Sequence, residues 1–112
     1  MEGTEMKAGW NVHNNKWYYI NEQGVKVVGW IDLNGKRYWA DENGEVVLND
    51  WRKIDNYRYY FNSSGEAVSG WNWIDEGYYF FYPNETSENP RFSMAHDTCI
   101  DGHYVDLNGR RR

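Results

Sequence analysis

The stretch Gly29-Trp30-Ile31-Asp32-Leu33-Asn34-Gly35-Lys36-Arg37-Tyr38-Trp39-Ala40-Asp41-Glu42-Asn43-Gly44 decides the fold. Trp30-Ile31-Asp32 reads as a short strand, and Asn34-Gly35 is a tight-turn signal because both residues tolerate positive φ. Lys36 to Ala40 is a second strand of β-formers around the aromatic pair Tyr38-Trp39. Asn43-Gly44 then supplies a second turn, and Glu45 to Leu48 leads onward. One hairpin and its connector thus occupy about twenty residues.

Outward from this stretch the pattern recurs. Trp10, Trp30, Trp51 and Trp71 stand 20, 21 and 20 residues apart, a period that marks a repeat array. Gly9, Gly29 and Gly70 precede three of these tryptophans, and Gly24, Gly44 and Gly65 follow the first three by 14 residues. Between them lie the aromatic blocks Trp17-Tyr18-Tyr19, Tyr38-Trp39, Tyr59-Tyr60-Phe61 and Tyr78-Tyr79-Phe80-Phe81-Tyr82. No apolar pattern of period 3.6 is present, so almost no helix is expected.

The 21 aromatic residues outnumber the 16 of Ile, Leu and Val. A lone twenty-residue hairpin cannot bury such a face, so the units are expected to stack into a continuous core. The expectation is an all-β chain, a β-hairpin solenoid of about four 20-residue repeats with a degenerate C-terminal cap hairpin. A closed sandwich, the alternative, would want longer strands with aliphatic alternation.

The repeats are read as 9–28, 29–49, 50–69 and 70–93, with a loop inserted at 83–93 that holds both prolines, and a cap at 94–112. Residues 1–8 form an N-terminal extension to a single repeat domain, 9–112.

Composition narrows the function. With 12 Lys and Arg against 17 Asp and Glu, the net charge is −5, which argues against nucleic acid or an anionic membrane as partner. No apolar run is long enough for a spanning helix, and no signal peptide is read. The single Cys99 excludes an internal disulfide, and with three histidines it leaves no zinc quartet.

Gly9-Trp10, Trp17-Tyr18-Tyr19-Ile20, Gly24, Gly29-Trp30, Tyr59-Tyr60-Phe61 and Gly70-Trp71 resemble the choline-binding or cell-wall-binding repeats of Gram-positive surface proteins, autolysins and phage lysins. Glucan-binding glucosyltransferases and clostridial toxin tails carry related repeats. The resemblance spans roughly residues 9 to 109 and implies a left-handed hairpin solenoid. It also implies choline, carried on teichoic acid, held between successive hairpins by the Trp after Gly, the first aromatic of its block and the second aromatic of the next block. A Met or aliphatic residue closes the fourth side. Such cages suit a quaternary ammonium, which donates no hydrogen bond and is held by π faces.

Carried onto this sequence, the first cage is Trp10, Trp17 and Tyr38, with Lys26 at the closing position. The second is Trp30 with Tyr59 and the third Trp51 with Tyr79. In these two, Arg37 and Arg58 replace an aromatic and are expected to stack on the rings, filling their own cages. The fourth is Trp71, Tyr78 and Tyr104, closed by Met94.

Asp32, Asp41, Asp55, Asp75, Asp101 and Asp106 recur with the repeat, as turn residues do and a catalytic pair does not. Asp41 to Gly44 and Asp106 to Gly109 faintly resemble calcium loops but lack the bidentate Glu. Arg110-Arg111-Arg112 reads as a short solvated basic end. Neither catalysis, metal nor cofactor is expected. The reading is a non-catalytic module for choline-bearing teichoic acid or another cell-wall glycan, secreted or at the cell surface by resemblance. A glycan-binding repeat module is the alternative, as is a ligand-free structural or dimerising tail.

Overall fold

The structure, a computed structural model, describes residues 8–112; most of the expected N-terminal extension lies outside them. The described chain is all β, a β-hairpin solenoid built of ten strands in five antiparallel two-stranded sheets. The hairpins are β1 Gly9–His13 with β2 Lys16–Ile20, β3 Gly29–Leu33 with β4 Lys36–Ala40, and β5 Asp50–Ile54 with β6 Tyr57–Phe61. They continue with β7 Gly70–Ile74 and β8 Gly77–Phe81, and end in the short pair β9 Thr98–Ile100 and β10 His103–Val105.

Every hairpin closes through two residues that both have positive φ. Asn34 and Gly35 sit at 53° and 81°, and the equivalent Asp75 and Glu76 at 50° and 66°. These are the mirror-image turns whose twist matches that of the flanking strands. Only one of the five turns carries the Asn-Gly signal; the others impose the same backbone mostly on residues with a side chain, at a cost in strain.

The connectors are equally repetitive. The side-chain oxygens of Asn21, Asp41, Asn62 and Asp106 each accept the backbone N–H groups two and four residues on, at 2.9 and 3.0 Å. These residues are committed to shaping turns, which accounts for the faint calcium-loop pattern. Among the described residues no cluster of His, Cys, Asp and Glu could hold a metal ion. At the inserted loop Tyr82 takes the equivalent place: its N–H donates to the Ser93 carbonyl at 2.9 Å, and its carbonyl accepts the Phe92 N–H at 2.6 Å. The loop therefore leaves and rejoins the repeat at one point of the backbone.

The last residues of the second strands, Ile20, Ala40, Phe61, Phe81 and Val105, are all buried. Full burial of such an Ile or Phe contributes about 1.5–3 kcal/mol. The chain packs as two compact units. In the unit that runs to Asn49 and takes in Phe61–Glu66, the core is Ile31, Tyr38, Ala40 and Val46, with Tyr19, Val27, Leu33 and Leu48 against it. In the unit of Asp50–Tyr60 and Ala67–Arg112 it is Ile74, Phe81 and Met94, with Trp51, Tyr60, Val68 and Tyr79 around them.

Candidate functional site

The alternation of a strand sends Trp17 and Tyr19 of β2 to one face and Tyr18 to the other. Cross-strand pairing sets Trp10 opposite Tyr19 and Val12 opposite Trp17. Trp10 is thereby held edge-on to three rings, with centroids 5.0 Å from Tyr19, 6.3 Å from Trp17 and 4.8 Å from Tyr38 of the next hairpin. Trp10, Trp17 and Tyr38 line a cavity of about 360 Å³, within the range of small-ligand pockets. Both tryptophans remain 39% exposed at its mouth.

The other walls differ from those expected. Lys26 is exposed, its ammonium 4.4 Å from the Tyr18 ring on the opposite side of β2, and its stem packs where a Cβ on Gly44 would sit. Val46 and Leu48 supply the aliphatic wall instead, and Ser63, Ser64 and Glu66 the polar rim. The reason is register: the Val46 N–H donates to the Trp17 carbonyl at 2.9 Å, so the closing side chain comes from one hairpin further on. Glu66 brings a carboxylate to the aromatic box and shares it with the Lys36 ammonium at 3.6 Å. Burial, and after it the Glu66 charge, holds the Tyr38 hydroxyl above the usual phenol range.

At the second tryptophan, the Arg37 guanidinium carbon lies 4.0 Å from the centroid of Trp30, while its Nε donates to Asp32 Oδ1 at 2.6 Å. Tyr59 is buried and belongs to the other unit.

At the third, Trp51 meets Tyr79 at 5.0 Å and Phe81 at 5.8 Å. Arg58 departs from expectation. It is exposed, and among the described residues no ring lies beneath its guanidinium. Its carbonyl accepts the Met94 N–H at 2.9 Å, which draws Met94 to this hairpin rather than to Trp71. Met94, 5% exposed, belongs to the core with Ile74 and Phe81.

The fourth group also differs. Val105 bridges Arg111 as Ala40 bridges Val46, so His103, not Tyr104, stands at the position of Tyr38. A one-residue slip reverses the face of a strand side chain. Tyr104 is 42% exposed and its hydroxyl donates to Asp97 at 2.7 Å. The His103 ring lies 5.9 Å from Trp71. The closing position belongs to Arg111, whose guanidinium carbon is 5.4 Å from the Trp71 centroid and 4.8 Å from that of Tyr78.

The basic end is thus fastened at each arginine rather than loose. Arg110 Nη2 donates to the Glu76 carbonyl at 2.8 Å, Arg111 N–H to the Tyr78 carbonyl at 2.9 Å, and Arg112 Nε pairs with Asp106 at 2.9 Å. Sequence reasoning missed Val46, Leu48, Glu66, His103 and Arg111. A usable signal existed for two of them: the bridging residue falls six positions after the end of its strand in Ala40–Val46 and Val105–Arg111.

The chain matches the family described as putative cell wall binding repeat three times, at residues 9–26, 28–46 and 49–67. No curated protein matches it. Among solved structures it is similar to choline binding protein F from Streptococcus pneumoniae, crystallised in the presence of a peptidoglycan analogue. That likeness has 28% identity and a TM-score of 0.79, over 96% of this chain and 34% of that one. A choline binding domain from the same organism is 34% identical with a TM-score of 0.55, over 58% of this chain and 98% of that domain. The modular autolysin LytC of S. pneumoniae shares the fold at 20% identity and a TM-score of 0.71. The present chain spans 34% of the length of choline binding protein F and 22% of that of LytC.

Proposed function

Because this chain belongs to the family of putative cell wall binding repeats, we propose that residues 9–112 form a non-catalytic binding domain that attaches its protein to choline-bearing teichoic acid outside the cell. The observation that carries the reading is the box of Trp10, Trp17 and Tyr38, which surrounds a 360 Å³ cavity and has Glu66 at its rim. Three π faces offer a trimethylammonium group about 0.5–2 kcal/mol each, without requiring a hydrogen bond from it. A carboxylate at the rim adds to the attraction and favours a cation over a neutral guest of the same shape.

Titration with choline, followed by tryptophan fluorescence and calorimetry, tests this. Binding is expected in the millimolar range or tighter, with loss in Trp10→Ala and in Trp17→Ala. The uncharged isostere 3,3-dimethylbutanol should not compete. Equal binding of the isostere would leave only apolar filling, and silence towards choline up to tens of millimolar would end the choline reading.

A glycan is the second reading, favoured by a separate polar cavity of about 270 Å³. It is lined by Tyr82, Glu88, Asn89, His96, Asp97 and Thr98. Trp73, 62% exposed, adds an open ring in the same unit. Sugars are bound by such combinations of stacking and hydrogen bonding. An array of wall polysaccharides and α-glucans separates the two, since a choline module ignores neutral sugars.

A further inference from the structure

We propose that the polar cavity beside the inserted loop binds one pyranose unit of a glycan, neutral or amino-bearing but not acidic. The inference rests on the second, glycan reading and gives that reading a place and a chemical class.

The cavity belongs to the insertion and not to the repeat. Glu88 and Asn89 lie in the loop, where other connectors close through a four-residue turn, and His96, Asp97 and Thr98 follow as the chain enters β9. Its one phenol ring, Tyr82, stands edge-on to Phe80 at 5.8 Å, so it is no aromatic box. At about 270 Å³ it has room for one sugar ring.

The walls are held before any ligand arrives. Thr86 Oγ1 accepts the backbone N–H groups of Glu88 at 3.3 Å and Asn89 at 2.9 Å, and the Asn89 side-chain amide at 3.3 Å. The Tyr57 hydroxyl donates to the Glu88 carbonyl at 3.0 Å, and the Tyr104 hydroxyl fixes Asp97 by one oxygen at 2.7 Å. A site so fixed loses little freedom on binding.

What the walls leave open is a set of hydrogen-bonding groups. Among the described residues no partner engages the hydroxyls of Tyr82 and Thr98, the Asn89 side-chain oxygen or the second Asp97 oxygen. Neither Glu88 nor Asp97 is in an ion pair among those residues. Burial, and after it the Glu88 charge, holds the Tyr82 hydroxyl above the usual phenol range, so at neutral pH it is an uncharged donor. Carboxylates accept from the adjacent hydroxyls of a sugar, the Tyr and Thr hydroxyls donate to its oxygens, and the phenol ring packs on its C–H face. Two carboxylates with no Lys or Arg among the lining groups repel an acidic sugar or a phosphate and attract an ammonium. A trimethylammonium group donates no hydrogen bond and would leave these acceptors unmet.

The test is titration of the full chain with the methyl glycosides of glucosamine, glucose and glucuronic acid, and with their galacto counterparts, followed by backbone amide resonances. Shifts should centre on Tyr82, Asn89, Asp97 and Thr98, with affinity falling in the order amino, neutral, acidic in the configuration that binds. Glu88→Gln and Asp97→Asn keep size at exposed positions. Each should weaken the amino sugar about 2- to 5-fold and narrow its lead over the acidic one, while Trp10→Ala should change nothing. Sugar binding that is lost in Trp10→Ala and indifferent to Glu88→Gln and Asp97→Asn overturns the cavity and leaves a glycan at the aromatic box. Equal affinity for the three sugars, or preference for the acid, overturns the assigned class. No shift with any of the six up to tens of millimolar overturns the cavity as a sugar site, and a polysaccharide bound on the array would then keep the glycan reading alone.

Discussion

Tyr38 shows how one residue serves a packed core and the wall of a cavity together. Its ring is buried in a core cluster with Ile31, Ala40 and Val46, yet it also forms a wall of the Trp10 cavity. Its phenol titrates above the usual range, so at neutral pH the cavity is lined by an uncharged ring. If the proposed box holds choline by its π faces, the hydroxyl is dispensable. Tyr38→Phe should keep choline affinity within about twofold, while Tyr38→Leu should weaken it about 5- to 30-fold, the equivalent of about 1–2 kcal/mol. Calorimetry on both variants checks this, with urea unfolding to separate binding from stability. The aromatic identity of this wall was legible in the sequence because Trp10 and Tyr38 recur with the period. The identity of Val46 as its neighbour was not, because a closing side chain contributed by the next hairpin is a contact between repeats that spacing alone leaves open.

At the scale of the element, the hairpin turns carry a measurable strain. Glu76 has φ of 66°, a conformation that costs an L-residue about 1–2 kcal/mol. Glu76→Gly should relieve it and raise stability by about 0.5–1 kcal/mol, after allowing for the greater freedom of glycine in the unfolded chain; the shift in urea midpoint is the measurement. The connector at Asp106 predicts a pH dependence. Desolvation pushes its carboxyl up, but the Arg110 and Asn108 N–H groups and the Arg112 guanidinium outweigh it and leave the group below its ordinary value. A depressed folded value means that this turn contributes fully above the ordinary carboxylate range and loses its contribution as pH falls through the lower, folded value. The protection of the Asn108 and Arg110 amides against exchange, taken relative to the intrinsic rate at each pH, should therefore fall in acid, and Asp106→Asn should remove that pH dependence while keeping the turn. Asn21 and Asn62 already fill the same place without a charge. Hairpins and connectors were legible from the Asn-Gly and aromatic pattern. The register beyond the insertion was not: β9 and β10 have three residues each, too few to show which face Tyr104 takes.

For the whole molecule, the balance of charge sets how it meets a polymer. The chain carries −5. On the proposed reading, local attraction to an ammonium group works against repulsion between the acidic chain and any phosphate-bearing polymer that carries it. Raising salt from about 0.05 to 0.15 M shortens the screening length and should strengthen retention on choline-bearing wall polymer while leaving affinity for free choline within about twofold; co-sedimentation and calorimetry at the two salt levels give the comparison. A protein held by phosphate contacts would show the opposite trend. The sign of this charge is plain from composition, whereas three consecutive arginines suggest a solvated end and give no hint of the rings that receive one of them. The loop between Tyr82 and Ser93 has a consequence of another kind. Its two ends meet through the Tyr82 pairings with Ser93 and Phe92, where other repeats use a four-residue turn. Such a stem holds the ends of the segment together by backbone bonds of its own, so the scaffold contains a grafting port: a foreign peptide spliced between Pro83 and Arg91 should be displayed while the hairpins before and after keep their pairing, at the cost of the Tyr57 hydroxyl's bond to the Glu88 carbonyl.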